Sequence, residues 1–146
     1  EPDLIIADEP TTALDVTIQA QVLDVLRKLL QKSAGLLLIT HDMGVVSQMA
    51  THVAVMYAGQ IVEQAEAGAF FKRARHPYSV ALLDAMPSAA TRGQRLKSIP
   101  GQVPSAGDFP TGCRFHERCP VARAECARAA PEMADVGGRL VRCPYV

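Results

Sequence analysis

The sequence LIIADEP, residues 4–10, decides the fold, because an unbroken apolar run ends there in two adjacent carboxylates. A short continuous run of this kind is typical of a strand buried on both faces in a parallel sheet, and Pro10 ends it. Open α/β sheets place their ligands at the carboxyl ends of their strands. The pattern therefore predicts a ligand site at Asp8 and Glu9, with capping of the next helix by these acids as the alternative.

The two carboxylates can have different partners, because neighbouring side chains of a strand point to opposite faces. A carboxylate on one face suits a bound cation such as Mg²⁺. A carboxylate on the other face can orient or deprotonate a nucleophile. The pair Asp8-Glu9 therefore indicates a site with a cation on one side and a reacting group on the other.

A helix and a second apolar strand follow the acidic pair. Asp15 is a plausible helix N-cap, and apolar residues then recur at helical spacing through about Lys32. The next apolar run, 36–40, ends at His41. A strand, a helix and a strand in this order form one right-handed crossover unit of a parallel sheet. The acidic pair and His41 are therefore expected at the ends of two strands of one sheet.

The pattern of the remaining chain predicts mixed helices and strands, then an irregular connector and tail. The connector, 88–112, is rich in Pro, Gly, Ser and Ala, and the tail, 113–146, has little core-forming material. The predicted elements are a short helix over 43–50 capped by Asp42, a hairpin of strands 52–57 and 61–63 around Gly59, a helix over 65–74 and a helix from Pro77 to Pro87.

Three short motifs carry a resemblance to a known family. They are LIIADEP at 4–10, TALD at 12–15 and THD at 40–42. In this order and at this spacing, the chain resembles the nucleotide-binding subunit of ATP-binding cassette (ABC) transporters, where they correspond to the Walker B strand with its glutamate, the D-loop and the switch-histidine loop. The resemblance implies an α/β fold, the C-terminal half of a P-loop ABC ATPase core with a mostly parallel sheet and helices.

The resemblance implies a role for each residue that matches a motif. Asp8 would hold Mg²⁺ through a coordinated water, and Glu9 would be the general base or would position the water that attacks ATP. Burial beside Asp8 would raise the pKa of Glu9. His41 would donate to the γ-phosphate, although a lone histidine after a strand is more often just a polar strand end. Asp15 would help to form a composite site across a dimer, and it can cap its helix as well.

The phosphate-binding loop of this family is missing from the sequence. No glycine is followed by Lys-Ser or Lys-Thr, as the pattern G-x-x-x-x-G-K-[ST] requires. The glutamine loop and the LSGGQ signature are missing as well. The 146 residues are therefore expected to contain the second half of an ATPase and to be inactive toward ATP by themselves.

Three sequence segments in the second half of the chain restrict the resemblance to one group of ABC transporters. They are RHPYSVALL at 75–83, IPGQVP at 99–104 and GCRFHERCP at 112–120, and they resemble the C-terminal extension of oligopeptide and dipeptide importer ATPases, a group that in some cases moves nickel. The division implied is an ATPase part, 1–64, and an extension, 65–146. The implied partners are a second ABC ATPase subunit, identical or paralogous, two membrane permease subunits and, indirectly, a periplasmic or extracellular peptide-binding protein. The implied location is the cytoplasmic face of a bacterial or archaeal plasma membrane.

The tail contains four cysteines in the pattern C-x5-C-x6-C-x16-C, which lacks the short ligand spacing of structural zinc sites. Longer, uneven loops fit a [4Fe–4S] cluster, and the resemblance implies such a cluster because related family members carry one. Zinc and free or disulfide-bonded cysteines are the alternatives, and His116 could replace a ligand. Six tail arginines could offset the cluster charge or simply form a solvated surface. The four predicted ligands are Cys113, Cys119, Cys126 and Cys143.

Charge and hydropathy restrict the partners. Fifteen basic residues balance fifteen acidic ones, which gives no support to a nucleic-acid or anionic-membrane partner. No apolar run approaches the roughly 18 residues of a membrane span, so a permease would mediate any membrane association. Two other functions stay open: a non-transport ABC ATPase, and a tail that senses redox state or metal.

Overall fold

The computed structural model describes residues 2–30, 34–87 and 97–146. The chain divides into two compact units, Glu1–Ala50 and Thr51–Val146. The helices and strands, in chain order, are β1 Leu4–Asp8, α1 Val16–Leu30, β2 Gly35–Ile39, α2 Met43–Met49, β3 His52–Tyr57, β4 Gln60–Glu66, α3 Ala67–Lys72, α4 Pro77–Asp84, β5 Ala134–Asp135 and β6 Leu140–Val141. Two short 3₁₀ helices lie at His116–Arg118 and Ala124–Ala127.

The first unit is a crossover of two parallel strands with helix α1 between them in the chain, as the apolar pattern predicts. Strands β1 and β2 pair in parallel, with Asp8 opposite Ile39 at the carboxyl end. Leu23 and Leu26 of α1 form a core cluster with Val45 of α2. This cluster covers one face of the sheet, because Leu36 and Leu38 pack against it.

Strand β1 is buried on one face only, so the prediction of a strand buried on both faces is wrong for the described chain. The side chains of Leu4 and Ile6 are 56% and 63% exposed, whereas Ala7 is buried. Strand β2 repeats this alternation, with Leu37 and Ile39 exposed. The cause is that the core cluster packs against the opposite side of this sheet.

The second unit contains a larger sheet that is antiparallel throughout, in the strand order β3-β4-β6-β5. The predicted hairpin is present, and Ala58 and Gly59 form its turn with positive φ angles of 47° and 76°. The prediction of a mostly parallel sheet is wrong for this unit, because only β1 and β2 pair in parallel within the described residues. The antiparallel strands come from a hairpin and a short tail strand, which need no crossover helix.

Several predicted boundaries change by a few residues. Strand β4 continues to Glu66, so the next helix begins at Ala67 rather than at residue 65. Phe70 is completely buried, as expected for the inner side of this helix. Helix α4 begins at Pro77, as predicted, but it ends at Asp84. The predicted helix end near Lys32 and the first nine residues of the predicted connector, 88–96, lie outside the described residues.

Arginine side chains of the tail bind backbone carbonyl groups of the same unit. Nε of Arg142 donates to the Ile61 carbonyl at 2.9 Å, and its Nη1 donates to the Pro131 carbonyl at 3.0 Å. Arg118 donates to the carbonyls of Pro100 at 2.7 Å and Ile99 at 3.0 Å. The other such pairs are Arg114 with Ala58 and Arg139 with Arg73. Four of the six tail arginines therefore hold the tail in place rather than form a purely solvated surface.

An aromatic cluster packs the tail against the hairpin. The ring of Phe115 lies 5.1 Å from that of Tyr57 and 5.4 Å from that of Tyr78, and it is almost completely buried. Such tilted contacts stabilise a core beyond their buried area. The tail and the hairpin thus share this cluster and one sheet. The predicted division of the chain at residue 64 stays a prediction.

Within the described chain, no helix combines the length and apolar character that a membrane crossing requires.

Candidate functional site

The candidate site lies at the carboxyl ends of strands β1 and β2. Strand β1 ends at Asp8, and the backbone N–H of Glu9 still donates to the Ile39 carbonyl at 2.8 Å. Glu9 then leaves the strand with a φ of 48°, in the left-handed region. This change of direction brings the Glu9 side chain to the end of β2, where His41 follows.

A turn made by Pro10 brings Thr12 back over Glu9. The Thr12 N–H donates to the Glu9 carbonyl at 3.2 Å, which closes a four-residue turn. Proline is favoured at the second position of such turns because its ring fixes φ. A second turn follows, in which the Leu14 N–H donates to the Thr11 carbonyl at 3.3 Å. The sequence after the acidic pair therefore folds into a compact loop that starts from Glu9.

Both oxygens of the Glu9 carboxylate have a partner. Oε1 lies 2.8 Å from Nδ1 of His41, and Oε2 accepts a hydrogen bond from the Thr12 hydroxyl at 2.6 Å. The carboxylate fixes the proton of the histidine on Nδ1, because it can only accept when ionised. The structure thus brings together two of the predicted catalytic residues, Glu9 and His41, and adds Thr12, which was not predicted.

The titration of this pair differs from the expectation. The hydrogen bond from Thr12 and then that from His41 lower the pKa of Glu9 below its ordinary value. The predicted rise is wrong because the Glu9 side chain is 38% exposed and is held by two donors. The hydrogen bond and the charge of Glu9 raise the pKa of His41, whose side chain is 78% exposed.

Asp8 and Asp15 lie on either side of Glu9 in the chain. The carboxylate of Asp8 is exposed at the last position of β1. It offers a hard oxygen donor, which fits Mg²⁺ bound through one or two carboxylates and substrate phosphates. Oδ1 of Asp15 accepts from the N–H groups of Thr17 at 2.9 Å and Ile18 at 3.0 Å, so this residue caps α1. Its predicted role across a dimer stays a prediction.

The loop at residues 40–42 is held by several hydrogen bonds, of which the sequence predicted only some. Oδ1 of Asp42 accepts from the N–H groups of Gly44 and Val45 and so caps α2, as predicted. Its other oxygen accepts from the Gln19 side chain of α1 at 3.1 Å, a contact that was missed. The only signal for it was a glutamine on the first turn of a helix that packs nearby. These bonds hold the residue next to His41 in place.

The four tail cysteines line one cavity of about 190 Å³ in the second unit. All four are free thiols. Burial, the largest cause, raises the pKa of Cys113 and of Cys119, which favours the protonated thiol over the thiolate that binds metals. Nδ1 of His116 lies 2.7 Å from the Cys113 carbonyl oxygen, so this ring atom is already engaged by the backbone.

The predicted iron–sulfur site is wrong on this structure. In the part of the chain that is described, no group of three or more His, Cys, Asp or Glu side chains is arranged to hold a metal ion. The same finding speaks against the zinc alternative. The cysteine spacing was compatible with a cluster, but spacing along a chain does not fix the directions in which thiols point. Contacts of arginine and aromatic side chains therefore hold the cysteine-rich extension within its unit.

The similarity to known proteins agrees with the motifs. Residues 62–126 match the family described as "Oligopeptide/dipeptide transporter, C-terminal region". The chain is 48% identical over 143 residues to the dipeptide transport ATP-binding protein DppD of Haemophilus influenzae, covering 97% of the chain and 43% of that protein. It is 49% identical over 146 residues to DppD of Escherichia coli, covering 99% of the chain and 45% of that protein. The segment 62–126 therefore matches the C-terminal region of these transporters, and nearly the whole chain is similar to dipeptide transport ATP-binding proteins.

A further relative agrees with this similarity. A putative peptide import ATP-binding protein of Brucella ovis is 47% identical over 152 residues, covering 97% of the chain and 45% of that protein. The chain therefore spans less than half the length of the relatives it matches. The similarity to these relatives covers the candidate site and the tail, because the matched segments extend over nearly the whole chain.

Proposed function

We propose that this chain supplies part of the ATP-hydrolysing site of an ABC importer subunit that energises the uptake of dipeptides or oligopeptides. The observation that carries the proposal is the contact between Glu9 and His41 at the ends of two neighbouring parallel strands. The two motifs are far apart in the chain, and the fold brings their functional side chains to 2.8 Å. The similarity to peptide import ATP-binding proteins supports the substrate class.

In this proposal Glu9 orients the water that attacks the γ-phosphate and accepts its proton. A carboxylate with a low pKa is ionised at neutral pH and is ready to accept a hydrogen bond from water. Phosphoryl transfer depends mainly on such positioning and on charge stabilisation. The exposed carboxylate of Asp8 would hold Mg²⁺, which when bound neutralises phosphate charge.

His41 contributes a donor to the same site. Its Nδ1 is committed to Glu9, so Nε2 is the ring atom that can donate to the γ-phosphate. The raised pKa favours the protonated ring, in which both nitrogens are donors. Asp15, beyond the turn, would contribute to a composite site across a dimer of two ATP-binding subunits.

The proposed assembly follows the relatives' description as import proteins. The subunit would work with a second ATP-binding subunit and two permease subunits at the cytoplasmic face of a bacterial membrane, and a peptide-binding protein would deliver the substrate. The relatives named above are bacterial, and nothing supports an archaeal source. A non-transport ATPase is the weaker candidate, because the tail matches a transporter region.

The test is ATP turnover by the complete ATP-binding subunit that contains this sequence. Glu9→Gln should lower kcat by about 100-fold or more while MgATP still binds, because the amide cannot accept the water proton. The matched control is Asp24→Asn, an equal change in an exposed ion pair with Lys28, and it should leave kcat unchanged. Wild-type turnover in the Glu9→Gln subunit would refute the assignment.

A further inference from the structure

Thr12 binds the carboxylate oxygen of Glu9 that His41 does not contact. Its hydroxyl donates to Oε2 at 2.6 Å, whereas Nδ1 of His41 lies 2.8 Å from Oε1. This distance is usual for a hydroxyl donor to a carboxylate, which is a strong class of hydrogen bond. The two donors therefore hold the carboxylate from two sides.

The position of Thr12 follows from the local sequence. Pro10 favours the turn that Glu9 begins, and the Thr12 N–H closes it on the Glu9 carbonyl at 3.2 Å. The same residue therefore binds Glu9 through its backbone and through its side chain. Ala13 then turns the chain away with a φ of 61°. A hydroxyl at this place in the turn reaches the carboxylate of the residue that begins it.

A carboxylate held at one oxygen can still rotate. The terminal torsion of glutamate is broad, so a single partner leaves a range of orientations. A second donor at the other oxygen removes this freedom and directs the remaining lone pairs to fixed places. The exposed location of Glu9 makes this important, because solvent water would otherwise compete for Oε2.

We propose that Thr12 is a positioning residue for Glu9, which fixes the plane of its carboxylate so that one lone pair points to the attacking water. The inference rests on the proposed ATPase function. The threonine keeps its proton on Oγ1 and takes no proton from the water. Its effect on the reaction passes through Glu9.

The experiment compares three variants of the complete ATP-binding subunit. Thr12→Val keeps the shape of the side chain and removes the donor, whereas Thr12→Ser keeps the hydroxyl. The matched control is Thr17→Val on the exposed first turn of α1, which leaves the Asp15 cap intact because only the Thr17 backbone takes part in it. For Thr12→Val, kcat should fall by about 10-fold with KM for ATP within twofold, because misplacement of a reacting group costs rate rather than binding.

The other variants separate positioning from a merely structural role. Thr12→Ser should restore kcat to within about threefold of wild type, and Thr17→Val should equal wild type. In the Glu9→Gln background, Thr12→Val should cause no further loss, because a residue that acts through Glu9 has nothing left to position. Melting temperatures should agree within about 2 °C.

Three results would overturn the inference: an unchanged kcat in Thr12→Val, an equal loss in Thr12→Ser, or a full further loss in the Glu9→Gln background. These differ from failure of the proposed function. If Glu9→Gln inactivates the subunit and Thr12→Val does not, only the positioning role falls. If the wild-type subunit shows no turnover that depends on Glu9, both proposals fall.

Discussion

His76 is neutral in the folded chain because its surroundings cannot accommodate a proton. The ring is buried, and its Nδ1 accepts the Tyr78 N–H at 3.1 Å as the N-cap of α4. Burial, and then the charge of Arg142, lower its pKa to about 4. Protonation would bury a cation at a helix N-terminus and would remove the acceptor that caps the helix.

This titration predicts a pH dependence of stability. The unfolded chain takes up the proton near the ordinary pKa of 6.5, whereas the folded chain resists until about 4. The contribution of neutral His76 is therefore complete above about pH 6.5 and is lost as the pH falls toward 4. Urea unfolding should show a loss of about 2 kcal/mol from this residue between about pH 7 and pH 5.

The matched variant for this prediction is His76→Asn. Asparagine can cap a helix but does not titrate. Its free energy of unfolding should change less over the same pH interval than that of the wild-type chain, by about the 2 kcal/mol given above. Equal losses in both proteins would show that carboxylates, and not His76, cause the acid sensitivity.

Residue-level predictions succeeded where the signal was local. The caps at Asp15 and Asp42 were predicted because an acid directly before an apolar helix can accept from the N–H groups of that helix's own first turn. The carboxylate of Glu63 was not predicted to be functional or buried, yet it is fully buried and accepts the backbone N–H groups of Arg75 and His76. The burial of Glu63 depends on how separate segments of the chain meet, and no periodicity of the sequence predicts such a contact.

At the scale of elements, the prediction was best for the crossover unit. The apolar pattern of its helix fixes both the type of element and the side that is buried, whereas the continuous apolar runs of its strands fix only the type of element. Strand β6 lies in the tail, has only two residues and pairs with the distant strand β4. Two residues are too few for a recognisable hydrophobic pattern. The iron–sulfur prediction failed for the same reason, because cysteine spacing contains no information on the fold that orients the thiols.

The pairing of β6 with β4 is held by Arg142, and this gives an element-scale prediction. Its backbone N–H donates to the Val62 carbonyl at 2.8 Å, and its guanidinium donates to the carbonyls of Ile61 and Pro131. Arg142→Met keeps most of the stem and removes the side-chain donors. The free energy of unfolding should fall by about 2 kcal/mol, because two acceptors lose their partner.

The control for Arg142 is Arg128→Met, a chemically equal change at an exposed residue of the tail. Its effect should be within about 0.5 kcal/mol. Both variants are compared with wild type at pH 7 by urea denaturation, with circular dichroism as the probe. A loss in Arg128→Met as large as that in Arg142→Met would mean that general tail charge, not the carbonyl bonds, stabilises this unit.

At the scale of the whole molecule, the chain contains one side of the proposed nucleotide site. The groups proposed to act on water and phosphate are present at Glu9 and His41, but the sequence has no phosphate-binding loop. Backbone N–H groups and a lysine of that loop normally surround the β- and γ-phosphates. Positioning alone cannot catalyse the reaction when the substrate is not bound.

The isolated chain of 146 residues should therefore release no phosphate from MgATP above the rate of its own Glu9→Gln variant. A colorimetric phosphate assay at millimolar ATP measures this. The positive control is the complete subunit under the same conditions. Turnover by the isolated chain that disappears in Glu9→Gln would show that these residues bind nucleotide by a route other than the predicted loop.

The one-sided burial of the first sheet affects how such an experiment is done. Leu4, Ile6, Leu37 and Ile39 offer an apolar surface to solvent, on a sheet of two strands. In a purified sample such surfaces attract each other, and the backbone groups on the outer side of each strand can add further strands. Light scattering on a dilution series, measured alongside the phosphate assay, shows whether the isolated chain is monomeric or aggregated. The absence of phosphate release is informative only for a monomeric sample.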